Sequence, residues 1–369
     1  MMRLISLFLL LFISFYSNGQ PDKASWSVGA NPYYGGVLRY KPTMKKLEFT
    51  NLHGIEIYAN KIASGEKAWH KLYNYPQWGL AAAYFNYGVP KELGYVYSLT
   101  TYLDFTPSKK RNKWRYNIGT GIVYSSARFD TLSNPENTAI SSKISYVLRG
   151  TIHREFKLNE NYYFNINLAF RHYSNGRLNM PNNGMNYPIV GMGIRYVFNP
   201  KPIVAIDNEN VERPINKKIH FALRGSMSWR EVWQEDVKHK AYSVSIYGSR
   251  QVSKYNNLLV GLDAFKYDQA SVDRQYVVYR DQNNIILDHV PDDDTRQLAF
   301  TVGTQLLISK VSVIVQGGFY IYRPQEYYAT WYQRYGVAYN FTNNIFAQVS
   351  LKAHSRTADM VEFGVGLSI

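Results

Sequence analysis

The chain has 369 residues, 42 Lys and Arg against 27 Asp and Glu, a formal charge of +15, 16% aromatic residues and no cysteine. A polytopic helical membrane protein needs several apolar stretches of roughly 20 residues, and none follows the N-terminal segment. A disordered chain does not carry this many aromatics, and a disulfide framework or Cys-ligated zinc site is excluded without cysteine.

The first nineteen residues read as an address. Arg3 forms a positive n-region, residues 4–16 are apolar, and Ser17 and Gly19 are the small residues before a cut at Gln20. This pattern predicts a cleaved secretory signal peptide over residues 1–19, and hence export.

From there the dominant pattern is period two. Trp114, Tyr116, Ile118 and Ile122 alternate with Arg115, Asn117, Gly119 and Gly121. Ile144, Tyr146, Leu148 and Ile152 alternate with Ser145, Arg149, Thr151 and His153. Tyr162, Phe164, Ile166, Leu168 and Phe170 alternate with Asn165, Asn167 and Arg171. Each segment is a strand with one apolar and one polar face. Strands of about ten residues or more exceed the usual five or six of soluble sheets. Aromatics cluster near their ends: Tyr33 and Tyr34; Tyr95 and Tyr97; Tyr327, Tyr328, Trp331 and Tyr332. Connections alternate between short (157–161, 309–310) and long (130–142, 175–185, 270–295). Together these features predict an all-β, antiparallel transmembrane β-barrel, with the apolar face toward lipid.

The segment 162–176 carries the chemistry. By parity His172 and Ser174 continue the lipid-facing set Phe164, Ile166, Leu168 and Phe170. Asn186 shares the parity of the apolar Val190, Met192 and Ile194, and the loop 179–184 returns the chain beside the preceding strand. His172, Ser174 and Asn186 are therefore expected to converge on the outer wall, at the outer-leaflet end. Polar groups facing lipid are costly. Two readings stay open on chemistry alone. One is a Ser–His hydrolase, with His172 taking the Ser174 proton and Asn186 orienting the imidazole. The other is a polar cluster at headgroup level.

His172-Tyr173-Ser174-Asn175-Gly176, followed by Pro181-Asn182-Asn183-Gly184-Met185, resembles the active-site segment of the outer-membrane lipid A 3-O-deacylases (acyloxyacyl hydrolases). The resemblance spans residues 25–199 and is most specific over 170–186. It implies an outer-membrane location, lipid A of lipopolysaccharide as the partner, Ser174 as nucleophile and His172 as base. The acidic third member falls on position 186, which here is Asn186. Asn can hold a His tautomer but cannot stabilise an imidazolium by charge, so the alternative is a non-catalytic outer-membrane barrel, a porin or structural protein, with a vestigial site. Arg177 departs from the small residue often found there, and is read either as a ligand for a lipid A phosphate or as an ordinary loop charge. Asn175 and the Gly176 N–H are candidate oxyanion donors. Phe170 and Leu168 are candidate acyl-chain contacts.

About eight strands precede Asn199 and about eight follow Lys218. The polar stretch 200–217, with Pro202 and Pro214, lies between. The expectation is one barrel of about sixteen strands, in which 200–217 is a long periplasmic turn. The alternative is two tandem eight-stranded barrels, a site-bearing half over 20–199 and a second half over 218–369. A faint repeat relates residues 54–59 to 243–248, and 190–194 to 363–367.

The second half does not duplicate the site. His354 has lumenal parity with Gln348, Ser350 and Lys352, and Glu362 is expected to join them. Trp229, Arg230, Glu231 and Trp233 read as girdle residues, and Asp292-Asp293-Asp294 as a solvated loop. Lys and Arg are spread without a run or a nucleic-acid fold, so no nucleic-acid partner is expected. No phosphate-cradling Gly loop or metal-ligand spacing is present, so no cofactor or metal is expected.

Overall fold

The computed structural model describes residues 25–38, 51–63, 67–106, 114–200, 215–233, 235–283, 294–325 and 329–369. The expected signal peptide, residues 201–214 of the inter-half stretch, Asp292, Asp293, Tyr327 and Tyr328 lie outside the described residues.

The period-two segments form strands β1 (Trp26–Gly35), β2 (Leu52–Ile62), β3 (Gln77–Asn86), β4 (Tyr95–Phe105), β5 (Trp114–Ser125), β6 (Ile144–Lys157), β7 (Tyr162–Ser174) and β8 (Met185–Val197). A second set follows as β9 (Ile219–Arg230), β10 (His239–Gln251), β11 (Asn256–Tyr267), β12 (Arg296–Ile308), β13 (Val311–Tyr322), β14 (Trp331–Asn340), β15 (Ile345–His354) and β16 (Thr357–Ser368). Two helices interrupt the described connections, α1 (Ala68–Leu72) and α2 (Gln269–Asn283). Each strand pairs antiparallel with its sequence neighbour, β1 closes on β8, and β9 closes on β16. The chain therefore builds two closed eight-stranded barrels rather than one of sixteen strands. The repeat matches fall on equivalent strands, 54–59 on β2 and 243–248 on β10, 190–194 on β8 and 363–367 on β16.

Alternation sets the two faces of each wall. Along β7, Ile166, Leu168 and Phe170 are exposed, while Asn165, Asn167 and Arg171 are buried. Ile118 of β5 is 63% exposed. Such an apolar exterior is stable against lipid, where strands of a closed barrel leave no unpaired backbone edge. Exposed aromatics gather at the two strand ends: Trp26, Trp78, Trp114 and Tyr162 at the end of the short turns, Tyr34, Tyr95, Tyr97 and Tyr124 at the end of the long loops. Four of the expected girdle residues belong elsewhere. Tyr33 and Tyr332 are buried and point into the barrels, because neighbours in a strand cannot both face outward. Arg230 and Glu231 are also buried rather than girdle residues.

Neither lumen is an open channel. In the first barrel Glu56 pairs with Arg149 at 3.0 Å and Arg171 at 3.1 Å. Asp104 pairs with Arg115 at 3.1 Å and His153 at 3.2 Å. Above them Tyr33, Phe85, Tyr87, Tyr173 and Tyr187 fill the loop end. In the second barrel Arg334 binds both Asp263 and Glu362. Lys352 and Arg230 reach Asp359 at 2.8 and 2.6 Å. An eight-stranded barrel is just wide enough for its side chains to fill. The two barrels touch at the turn end, where Tyr73 Oη donates to the Leu307 carbonyl at 2.7 Å and its ring lies 5.3 Å from that of Tyr255.

Candidate active site

Strand register brings the three expected residues onto one outer patch. His172 of β7 sits opposite Asn186 of β8 and Leu148 of β6. Ser174 sits opposite Tyr146 of β6. The β7 wall behind them is held from inside, since Arg171 is tied to Glu56 and Tyr173 packs edge-on to Tyr187 with ring centroids 5.0 Å apart.

His172 Nδ1 donates to Asn186 Oδ1 at 2.7 Å. That bond fixes the neutral ring in the tautomer whose Nε2 is free to accept a proton. The Tyr146 ring lies beside the imidazole, 6.1 Å between centroids. Ser174 is buried, and its Oγ accepts two N–H groups: Asn182 Nδ2 at 2.9 Å and the Gly176 backbone at 3.1 Å. Among the described residues no hydrogen bond joins His172 to Ser174. Contacts of this kind commonly tighten only when substrate binds.

The donors depend on the loop between β7 and β8. Gly176 and Arg177 both have positive φ, +65° and +73°. Their left-handed turn folds the Gly176 N–H back onto Ser174. Glycine adopts that conformation without strain; Arg177 does so because the loop is tied down on both sides. Asn175 supplies much of the tie. Its Oδ1 accepts from the Arg177 N–H at 2.9 Å, and its Nδ2 donates to Ser141 Oγ at 3.2 Å and the Asn179 carbonyl at 3.0 Å. The amide expected as an oxyanion donor is thus engaged in holding the turn, while the Gly176 N–H faces Ser174 Oγ. The second donor, Asn182, was not singled out from sequence. It lies in a loop, where strand parity gives no direction. Its Oδ1 accepts from the Asn175 N–H at 3.2 Å, so it also closes the turn. The 137–141 segment braces the same loop, with Asn183 N donating to the Thr138 carbonyl at 3.2 Å and Gly184 N to that of Ala139 at 2.9 Å.

Phe170 and Leu168 lie exposed on the wall below His172, 44% and 56%. Arg177 does not face outward. It is buried and directed into the second barrel, where its Nε donates to the Glu231 carbonyl at 3.0 Å and its Nη1 lies 3.7 Å from Asp359 Oδ1. Of the remaining sequence candidates, Gln348, Ser350, Lys352 and Glu362 are buried inside the second barrel, and Ser350 Oγ donates to Glu362 at 3.2 Å. His354 meets the Tyr320 hydroxyl at 3.0 Å. Asp294 is bound by the Arg296 guanidinium at 2.9 Å and the Tyr322 hydroxyl at 2.7 Å, which hold its carboxyl well below the usual range.

Two family models match the chain. Residues 53–195 match lipid A 3-O-deacylase (PagL), and residues 217–369 match the C-terminal domain of acyloxyacyl hydrolase. No curated protein matches. Similar solved structures include a triple mutant of the Rh. blastica porin, 9% identical over 94% of this chain and 100% of that one, with a TM-score of 0.18. CdiB from Acinetobacter baumannii is 8% identical over 94% of this chain and 60% of that one, with a TM-score of 0.20. The translocator domain of autotransporter NalP from Neisseria meningitidis is 10% identical over 97% and 91%, with a TM-score of 0.18. The two family matches fall on the two barrels and together span most of the chain, which belongs to the lipid A 3-O-deacylase (acyloxyacyl hydrolase) family of outer-membrane barrels.

Proposed function

We propose that this protein is a serine esterase that removes the 3-O-linked fatty acyl chain of lipid A. It is exported by the peptide over residues 1–19 and acts from the lipid-facing wall of its first barrel, residues 20–199. The observation that carries the reading is the His172 Nδ1–Asn186 Oδ1 bond, beside a serine whose oxygen already receives two N–H donors. Substrate arrives sideways through the leaflet, its acyl chain along Phe170 and Leu168. His172 Nε2 takes the Ser174 hydroxyl proton as Oγ attacks the ester carbonyl. The Gly176 N–H and Asn182 Nδ2 stabilise the charge that develops there. The proton passes to the leaving sugar oxygen, giving an acyl-enzyme and a free sugar hydroxyl. Water, activated by the same imidazole, then releases the fatty acid and restores Ser174. Asn186 keeps the ring oriented throughout but adds no negative charge opposite the imidazolium.

Side chains packed through both lumens weigh against a transport role. Mass spectrometry of lipid A, incubated with the refolded protein and with its Ser174→Ala variant, tests the reading. The expected result is loss of one acyl mass with the unsubstituted protein alone. No loss with either, across several lipid A structures, would sink it.

A further inference from the structure

The nucleophile's turn is braced on one side by its own barrel and on the other by the second. A Cβ built on Gly176 would meet Val361 Cγ2 of β16 at 2.2 Å and Leu351 Cδ1 of β15 at 3.7 Å. Val361 is on the outer face of its barrel, like Phe363 and Val365, which are 45% and 67% exposed, yet it is only 9% exposed. The Gly176 turn accounts for that cover. One residue on, the main chain of Arg177 accepts from the Glu231 N–H at 3.0 Å, while its Nε donates to the Glu231 carbonyl at 3.0 Å. Its Nη2 donates to Gln275 Oε1 of α2, which Arg230 also reaches at 3.2 Å. Asp359 beyond is already bonded by Arg230, Lys352 and Tyr267. The guanidinium fork is thus held chiefly by hydrogen bonds of fixed direction, a role for which Lys is no substitute.

We propose that Arg177 is a positioning residue through which the second barrel holds the Gly176 N–H on Ser174, so that the two barrels form one catalytic unit. This rests on the esterase reading and assigns Arg177 to the protein rather than to a phosphate of lipid A. A buried fork that ends on Glu231 and Gln275 has its donors turned away from the outer wall where substrate would lie. The second barrel acts here at a distance from the reacting atoms, by limiting the motion of a left-handed turn.

The test uses the full chain carrying Arg177→Gln or, separately, Gln275→Ala. The second variant leaves Arg177 in place and removes one of its acceptors in the second barrel, the Gln275 side chain. Two readouts are compared: the rate at which a long-chain alkyl fluorophosphonate labels Ser174, and kcat and KM on lipid A and on lipid A stripped of its phosphates. The expected result is labelling and kcat both lowered about tenfold or more, KM little changed, and the same ratios on both substrates. Unchanged labelling and kcat in both variants would overturn the proposal. So would a rise in KM that appears only with the phosphorylated substrate, which would return Arg177 to phosphate binding. A protein that labels at Ser174 but cleaves no lipid A removes the substrate reading alone, and the labelling ratios still decide the role of Arg177. Absence of labelling in the unsubstituted protein overturns both.

Discussion

His172 and Asn186 face one another across the β7–β8 ladder, Nδ1 to Oδ1 at 2.7 Å, on the wall that meets lipid. An amide in that position orients the ring without charge. Asn186→Asp is expected to raise kcat by about tenfold or more, since a carboxylate would stabilise the imidazolium that forms during attack. Asn186→Leu is expected to lower it by about a hundredfold or more through loss of the tautomer. Steady-state deacylation kinetics check both. Equal rates for all three proteins would remove Asn186 from the mechanism.

Asn182 Nδ2 meets Ser174 Oγ at 2.9 Å. If that donor follows the charge as it develops, Asn182→Ala lowers kcat by about 10²–10³ with the barrel intact, the usual loss for one oxyanion donor. The check is kcat together with the heat-sensitive electrophoretic mobility of the folded barrel. A slow variant that is also unfolded would place Asn182 in the architecture only.

Much of this was readable beforehand, and the misses share a cause. Parity along β7 gives His172 and Ser174 the face of the exposed Ile166, Leu168 and Phe170, a period-two argument that needs only local sequence. The number of barrels is not local. A sixteen-stranded barrel would pair β8 with β9 and β16 with β1. The observed barrels pair β1 with β8 and β9 with β16, and every strand keeps the same alternation either way. One signal was available in the size of the inward residues. Tyr33, Tyr87, Arg171 and Tyr173 suit a narrow lumen that side chains fill. Asn182 and Arg177 lie in a loop, where no periodicity assigns a direction. The partners of Arg177 are 54 and 98 residues away.

Among the described residues of the first lumen, Glu56 is the carboxylate paired with both Arg149 and Arg171, and all three are buried. Glu56→Ala leaves two guanidinium groups uncompensated, which costs about 3–5 kcal/mol when one side of a buried pair is removed. Urea unfolding in lipid vesicles should show a lower midpoint with the slope retained. A change within about 0.5 kcal/mol, as for an ordinary surface site, would mean that water enters the lumen and solvates the arginines.

Ile118 tests the lipid-facing assignment away from the site. It lies near the middle of β5 and is largely exposed. Ile118→Arg is expected to destabilise the protein in a bilayer by about 2–4 kcal/mol, the depth-dependent cost at the midplane. An unchanged unfolding midpoint in vesicles would place that wall in water.

Gly176 and Val361 give the most direct check on contact between the barrels. Gly176→Ala has two independent penalties. The first is the φ of +65°, which costs an L-residue about 1–2 kcal/mol. The second is the approach of Cβ to Val361 Cγ2, 2.2 Å before any adjustment. Val361→Ala removes the second penalty and leaves the first. Activity lost in Gly176→Ala should therefore return in part in the double variant, with a non-additive coupling of about 0.5–3 kcal/mol, as for residues in contact. Strict additivity in kcat and in stability would separate the two residues, because a substitution on β16 can rescue one in the β7–β8 turn only if the barrels press against each other there.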